Sequence, residues 1–346
     1  MDGVDVIRYR YAPAKLESLV NDGGIVANLR RHPWKYLLVP SFVLSQAWHA
    51  WDLLRKRDVQ AMHAHWLIPQ GLICAVLQWL PGAKIPFVVT SHGADLYGLR
   101  GSFLQLLKRY VVRRSARTTV VSKAMRAELS RIGADASKVD VEPMGVDLSD
   151  RFTPDPRAPR STHEILFVGR LVEKKGLKHL LDAMPNVLLA QPSAHLTVAG
   201  FGPEEAALRA QVEALGLMEK VSFIGAVPQQ DLPPLYRRAA VFVAPFVQAP
   251  SGDQEGLGLV LVEALGCGCP VVVSDLPVTR DVGLTGDGLL RVVPGDPRAL
   301  AEGVLKMLGT GARESKVSVD YFNWTGRADA YATKLEAVLP ANSDHG

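Results

Sequence analysis

Short apolar runs rich in Val and Ile recur along this chain, each followed by a loop and then by a stretch with helical spacing. The clearest instance is residues 241–275. Its runs 241–246 and 270–274 are apolar and β-branched, as buried parallel strands are. Between them lie the glycine-punctuated loop 251–258 and the apolar run 259–266, which a Gly-Cys-Gly-Cys-Pro cluster stops. Strand, loop, helix, strand is one right-handed crossover unit. A chain built of such units has few folds open to it beyond a doubly wound parallel sheet.

The alternation runs twice. In the front half, strands are expected at 4–9, 59–66, 85–90, 118–121 and 139–143, and helices at 34–57, 69–80, 102–114 and 123–132, the last capped by Ser122. Residues 152–161 hold three prolines and no apolar period, and read as a linker. The second half restarts with strands at 164–168, 194–199, 221–224, 241–246, 270–274 and 289–293. Helices follow to about 190 and to 215, then at 231–240 and 259–266, and a last helical segment after Trp324 is expected to pack back across the linker. We therefore expect an α/β protein with two Rossmann-like doubly wound domains, 1–151 and 162–346, facing across a cleft.

A length of 346 residues suits two domains. No apolar run reaches the length of a membrane span, and the N-terminus lacks the apolar core of a signal peptide, so a cytoplasmic protein is expected. Cys74, Cys267 and Cys269 are too few and too oddly spaced for a disulfide framework, and the last two read as core-lining thiols. Charge is uneven. Residues 1–150 carry 20 Lys and Arg against 13 Asp and Glu, and residues 151–346 carry 19 against 22. The front half thus faces something anionic. No nucleic-acid-binding motif accompanies the basic residues.

The loop at 251–258 runs into its helix at Glu255-Gly256-Leu257-Gly258. The first amides of a helix lack internal partners and sit at the positive end of its dipole, which suits a phosphate or diphosphate. Glu263 follows Glu255 by eight residues, about 12 Å if both lie on one regular helix. Glycosidase carboxyl pairs lie about 5 Å or about 6.5–9.5 Å apart. This pair reads instead as two holders along an extended ligand. Arg170 and Lys175 stand after a strand end and could chelate a diphosphate; taken alone, residues 172–178 read as a solvated basic loop. His92 and Asp95 follow another strand end and would point into the cleft. In His63-Ala-His65 we expect the two rings on opposite sides of the strand, which argues against a shared metal, with His65 in the cleft and His63 structural.

Glu255-x7-Glu263, with Gly256 and Leu257 after the first Glu, resembles the signature of the retaining group 1 (family 4) glycosyltransferases, whose two facing Rossmann-like domains form the GT-B arrangement. The resemblance implies that Glu255 contacts the donor sugar and Glu263 the nucleotide ribose. It implies that amides at Gly256, Leu257 and Gly258 hold the diphosphate, and that the loop at Gly169 and Arg170, with Lys175, neutralises the leaving group. Gly200-Phe-Gly202 resembles the family's loop beside the base, and His92 its sugar-contacting His; His65 and Asp95 are assigned to the acceptor side. Met144 stands where the family usually has Asn, at a hinge read as structural. The chain contains no Asp-x-Asp, so metal-independent catalysis without cofactor is expected. The implied partners are a nucleotide-sugar donor and a lipid-linked or saccharide acceptor of cell-envelope glycan synthesis.

Basic residues in the segment 103–117, Lys108, Arg109, Arg113, Arg114 and Arg117, are compatible with peripheral contact with an anionic membrane, or with a helix packed on its own sheet that keeps one wet basic face. Against the family, the sequence is read as starting at the third strand, 4–9, with Asn21-Asp22-Gly23-Gly24 not read as the missing Gly-rich loop. A shortened first domain and weakened activity are therefore expected. A nucleotide-sugar epimerase or phosphorylase of the same fold and a non-catalytic nucleotide-binding protein are the alternatives.

Overall fold

A computed structural model of the chain describes residues 3–20, 25, 28–29, 32–80, 85–309 and 315–339. The tetrad Asn21–Gly24 lies outside the described residues. The first domain holds α1 (Leu38–Lys56), β1 (Met62–His65), α2 (Leu72–Leu77), β2 (Phe87–Ser91), α3 (Ala94–Tyr97), α4 (Ser102–Arg114), β3 (Arg117–Val120), α5 (Lys123–Arg131) and β4 (Val139–Val141). Its four strands are parallel in the order β1-β2-β3-β4. Ser122 caps α5 as expected, its hydroxyl accepting from the Met125 amide.

The second domain holds β5 (Glu164–Val168), α6 (Leu177–Ala190), β6 (His195–Ala199), α7 (Glu205–Ala214), β7 (Val221–Gly225), α8 (Pro233–Arg238), β8 (Val241–Ala244), α9 (Leu259–Gly266), β9 (Val271–Ser274), α10 (Pro277–Asp281), β10 (Leu289–Val292), α11 (Pro297–Gly309) and α12 (Trp324–Glu336). Its sheet is parallel throughout, in the order β10-β9-β8-β5-β6-β7. The β-branched strands β8 and β9 are buried along their whole length, which is why their sequences are continuously apolar rather than alternating. Cys267 and Cys269 are free and buried beside them, as core thiols.

Three elements depart from expectation. Residues 4–9 form no strand. Val4, Val6 and Ile7 remain exposed, and an alternating pattern without a partner strand cannot complete its backbone hydrogen bonds. The chain instead lays Tyr9 and Tyr11 against Phe42 of α1. Helix α11 was not anticipated, although Leu300, Val304, Met307 and Leu308 bury one face of it. The helix expected over 231–240 is only Pro233–Arg238, because Pro233-Pro234 can occupy a first turn but not an interior.

Helix α12 belongs by sequence to the second domain and packs on the first. Val146 and Asn323 form a parallel bridge. Arg327 pairs with the buried Glu142 at 2.7 Å, and the Tyr331 hydroxyl donates to the Glu142 carbonyl. The segment at 144–147 is accordingly structural: a Cβ on Gly145 would lie 2.6 Å from the Trp324 backbone.

Candidate active site

Read outward from its centre, the second sheet runs β5-β6-β7 one way and β8-β9-β10 the other. Strand order reverses between β5 and β8, and ligands of open α/β sheets bind at such a point, beyond the carboxyl ends of the strands. The loops leaving β5 and β8 meet there. The Val247 amide donates to the Lys174 carbonyl at 3.0 Å. Lys174 reaches across to the Asp253 carboxylate at 3.1 Å and the Gln254 carbonyl at 3.2 Å. Lys175 lies 2.7 Å from Glu255 Oε2, with its ammonium over the Phe246 ring.

The Lys175–Glu255 pair dominates the electrostatics. Both side chains are nearly buried, 14% and 15% exposed, so the two basic residues do not form a solvated loop. Burial alone would raise the Glu255 pKa. The Lys175 and Lys174 ammoniums more than offset it and hold Glu255 at about 2. The contact is ionic, with poor hydrogen-bond direction, and Oε2 has no directed donor. The two ammoniums thus favour the Glu255 carboxylate form, which is suited to accept from a ligand hydroxyl.

Glu255 and Glu263 do not share a helix. Gly258 is the N-cap of α9 in a left-handed conformation, and Glu255 sits in the loop before it. The 12 Å helical separation therefore does not apply. Glu263 is 4% exposed in mid-helix. Tyr236 donates to its Oε2 at 3.0 Å and Gln229 to its Oε1 at 3.2 Å, and burial raises its pKa. The buried Tyr236 and the exposed Gln229 thus each hold one oxygen of this carboxylate.

Arg170 is exposed and lines a hollow of about 150 Å³ together with Gly169, Gly200 and Phe201. The glycines here differ in purpose. A Cβ on Gly200 would lie 1.9 Å from the Gly169 carbonyl oxygen, and one on Gly202 2.4 Å from that of Leu171. Gly200 and Gly202 therefore close the loop packing. Gly169 would make only ordinary contact, at 3.6 Å from the Lys175 side chain. Phe201, 45% exposed, offers a ring at the rim.

In the first domain the structure corrects three readings. His63 and His65 lie on the same face of β1, ring centroids 4.4 Å apart, because residues two apart on a strand share a face. His65 Nδ1 is 2.9 Å from His92 Nε2, and His63 Nε2 is 2.8 Å from Thr90 Oγ1. Asp95 does not point into the cleft. It is 3% exposed and accepts from the Leu67 amide and the Ser91 hydroxyl, bracing the two strand ends. Lys108 is not on a wet face: it is 2% exposed and donates to the carbonyls of Leu96 and Leu99. It thereby closes the segment behind His92.

The three imidazoles crowd one another. Burial first, then the neighbouring rings, lower His63 and His92 to about 4; burial lowers His65. A histidine whose folded pKa lies below its unfolded one binds protons better unfolded, so its stabilising effect is complete above about pH 6.5 and is lost as pH falls through about 4. The melting temperature is expected to fall between pH 6.5 and pH 4, and His63→Gln to flatten that fall. Equal pH slopes for wild type and variant would remove the cluster as its source.

The two domains touch at the site. A Cβ on Gly256 would lie 2.4 Å from the His92 carbonyl oxygen, and one on Gly93 3.0 Å from Gly256 Cα. Arg100 donates to the Gly252 carbonyl at 3.1 Å, and the Tyr97 hydroxyl bonds Gln254. The Ala124 amide of the first domain also donates to the Asp281 carboxylate of the second. His92 is thus held over the Glu255 loop by backbone contact. Sequence spacing did not single out Lys174, Arg100 or Gln229; Lys174, adjacent to Lys175 in a loop already suspected, was the one with a signal.

Residues 150–318 match the family described as Glycosyl transferases group 1, and residues 3–150 match Glycosyltransferase Family 4. The chain is 33% identical over 297 residues to the phosphatidyl-myo-inositol mannosyltransferase of Mycobacterium leprae, covering 83% of this chain and 75% of that one. It belongs to the group 1 glycosyltransferases. Another such relative is the putative colanic acid biosynthesis glycosyltransferase WcaL of Escherichia coli, 31% identical over 244 residues, 68% of this chain and 58% of the relative. Among solved structures, sucrose-phosphate synthase from Thermosynechococcus elongatus superposes with a TM-score of 0.71 at 22% identity, over 89% of this chain and 79% of that one. HepE from Anabaena in complex with UDP gives 0.69 at 18%, over 87% and 83%. At these identities the likeness concerns the fold, and it places this glycosyltransferase in the GT-B class.

Proposed function

We propose that this glycosyltransferase transfers a hexose from a nucleoside diphosphate sugar to a hydroxyl of a lipid-linked or saccharide acceptor in cell-envelope glycan synthesis, with retention of anomeric configuration and without a metal. The observation that carries this reading is the Lys175–Glu255 pair at the strand-order reversal, under His92 of the opposite domain. Lys175 and Arg170 meet the charge that develops on the departing diphosphate, with the amides at the start of α9. Glu255, ionised, accepts from a donor-sugar hydroxyl. Glu263, aimed by Tyr236 and Gln229, accepts from the ribose. Names of relatives acting on phosphatidyl-myo-inositol and in colanic acid biosynthesis support the acceptor class.

Support for retention comes from the resemblance of Glu255-x7-Glu263 to the retaining group 1 signature, within residues that match that family. On this reading the two carboxylates hold hydroxyls of the donor and form no covalent bond to the sugar. The acceptor oxygen then forms its bond to the anomeric carbon on the face the diphosphate leaves. The anomeric carbon–oxygen bond to phosphate breaks, and the acceptor proton passes to the departing phosphate oxygen. On the surface, Phe103 and Leu106 are exposed on α4 beside Arg109 and Arg113. This mixed apolar and basic face suits peripheral contact with an anionic membrane. No helix among the described residues is long and apolar enough to cross one.

The test is a nucleoside diphosphate thermal-shift series followed by kinetics on two variants. Glu255→Ala is expected to cut turnover at least about 100-fold with nucleotide binding kept. Glu263→Ala is expected to weaken nucleotide binding about tenfold or more, because a charge-assisted bond is lost. Turnover unchanged by chelator and an unchanged anomeric configuration in the product check the remaining two points. Wild-type behaviour of both variants would sink the site assignment.

A further inference from the structure

Between β8 and α9 the chain passes through a loop that both domains hold at once. Its tip closes on itself: the Ala249 amide donates to the Asp253 carbonyl at 2.9 Å, and the Gly252 amide to the Ala249 carbonyl at 2.6 Å. From the second domain, Lys174 donates to the Asp253 carboxylate and the Gln254 carbonyl. From the first, Arg100 donates to the Gly252 carbonyl at 3.1 Å, and the Tyr97 hydroxyl bonds the Gln254 side chain. Gln254 is thus gripped through its backbone by one domain and through its side chain by the other. The next residue is Glu255.

Three further observations mark the first-domain side as a built fixture. First, Arg100 is aimed. Its Nε donates to the Tyr97 carbonyl at 3.2 Å while Nη2 serves Gly252, so one planar guanidinium bridges the two loops. Second, the segment that carries both residues is pinned. Tyr97 is buried, and Lys108 donates to the carbonyls of Leu96 and Leu99, before and after it in the chain. Third, the loop makes room for the guanidinium. Gly252 has φ +81°, and a Cβ there would lie 1.6 Å from Arg100 Cζ. A side chain at 252 and a seated Arg100 exclude each other.

We propose that Arg100 and Tyr97 are positioning residues of the transfer reaction: by docking the 249–254 loop onto the first domain, they fix the backbone that carries Glu255 under His92. Their effect passes through Gly252 and Gln254. Without them the loop tip is held from the second domain alone, by Lys174, and is free to swing away from His92. A displacement of about 1 Å among reacting groups costs on the order of 100-fold in rate. Lys175 and the amides at the start of α9 belong to the second domain, so rate and nucleotide affinity should separate. The proposal rests on the transferase reading for the reaction that is positioned, and on the geometry alone for the docking.

The experiment combines hydrogen–deuterium exchange of the full chain, read on peptides covering 247–257, with calorimetry against UDP and GDP and with nucleotide release from UDP- and GDP-hexoses. Arg100→Ala is expected to speed exchange across 249–254 about tenfold and to lower kcat about 100-fold, with nucleotide affinity within about twofold of wild type. Tyr97→Phe, which deletes only the hydroxyl, is expected to lower kcat about tenfold. Gly252→Ala unseats the guanidinium, so its effect on kcat should vanish in the Arg100→Ala background; backbone strain alone would act equally in both. Unchanged exchange in Arg100→Ala, unchanged kcat despite faster exchange, or additive effects of Arg100→Ala and Gly252→Ala on kcat overturns the proposal. Nucleotide affinity that falls in step with kcat overturns it too, since the loop would then serve binding. Faster exchange in Arg100→Ala, with neither UDP nor GDP bound by the wild type, would leave the docking standing and sink the transferase reading instead.

Discussion

Replacing Gly256 with alanine should reduce kcat/KM about 100-fold while leaving the melting temperature close to that of wild type. The added Cβ would stand 2.4 Å from the His92 carbonyl oxygen and 3.5 Å from Gly93 Cα. Both neighbours are backbone, and they belong to the opposite domain, so no rotamer change relieves the overlap. The loops must separate, and His92 moves away from Glu255 and Lys175. A displacement of about 1 Å among reacting groups costs on the order of 100-fold in rate. Stability changes little because the added Cβ meets loop backbone rather than a side chain of the apolar core, which runs through both domains. Nucleotide affinity should also hold, since its groups come from the second domain. Full activity in Gly256→Ala would show that the two loops need not touch for turnover.

Lys175→Ala should damage both rate and stability, and a compensating change should restore only one of them. The ammonium lies 2.7 Å from a carboxylate that is 15% exposed. Removing it leaves Glu255 nearly buried, with Lys174 as the remaining cation to offset the burial that raises its pKa, and Lys174 already serves Asp253 and the Gln254 carbonyl. Breaking a buried pair from one side costs about 3–5 kcal/mol. The developing charge on the diphosphate loses its nearest cation as well, worth about 100- to 1,000-fold in kcat. In the double variant Lys175→Met with Glu255→Gln no charge is stranded. Urea denaturation should then recover most of the lost stability while single-turnover rates stay low. Recovery of both together would mean that the reaction needs neither the Lys175 ammonium nor the Glu255 carboxylate.

Much of the fold was legible in the order of residues. The run at 259–266 is α9 to the residue, and 102–114 is α4. Ser122 announces α5, because a hydroxyl before an apolar-periodic stretch satisfies an orphan amide. These are local matters, settled by neighbours a few positions away. The motifs were legible too: Glu255, Lys175 and His92 do converge, and Arg170 lines a hollow with Gly169 and Gly200. Elsewhere local reading failed for local reasons. The pattern at 4–9 has strand alternation but, among the described residues, no strand pairs with it. His63 and His65 were assigned opposite faces although a period of two puts them on one.

The chain's own order determined two runs of β/α alternation, the loop chemistry at strand ends and the residue types available there. It did not determine which charges would meet. Glu255 is held at about 2 because β5 and β8, far apart in sequence, are neighbours at the strand-order reversal and bring Lys174 and Lys175 to its carboxylate. Lys108 and Asp95 read as surface and cleft residues, yet both are buried, since the packing behind the His92 loop needs a cation on its carbonyls and an acceptor for the Leu67 amide. Residue type is a one-body property; pKa, burial and reach depend on partners that only a folded sheet brings within a few ångströms.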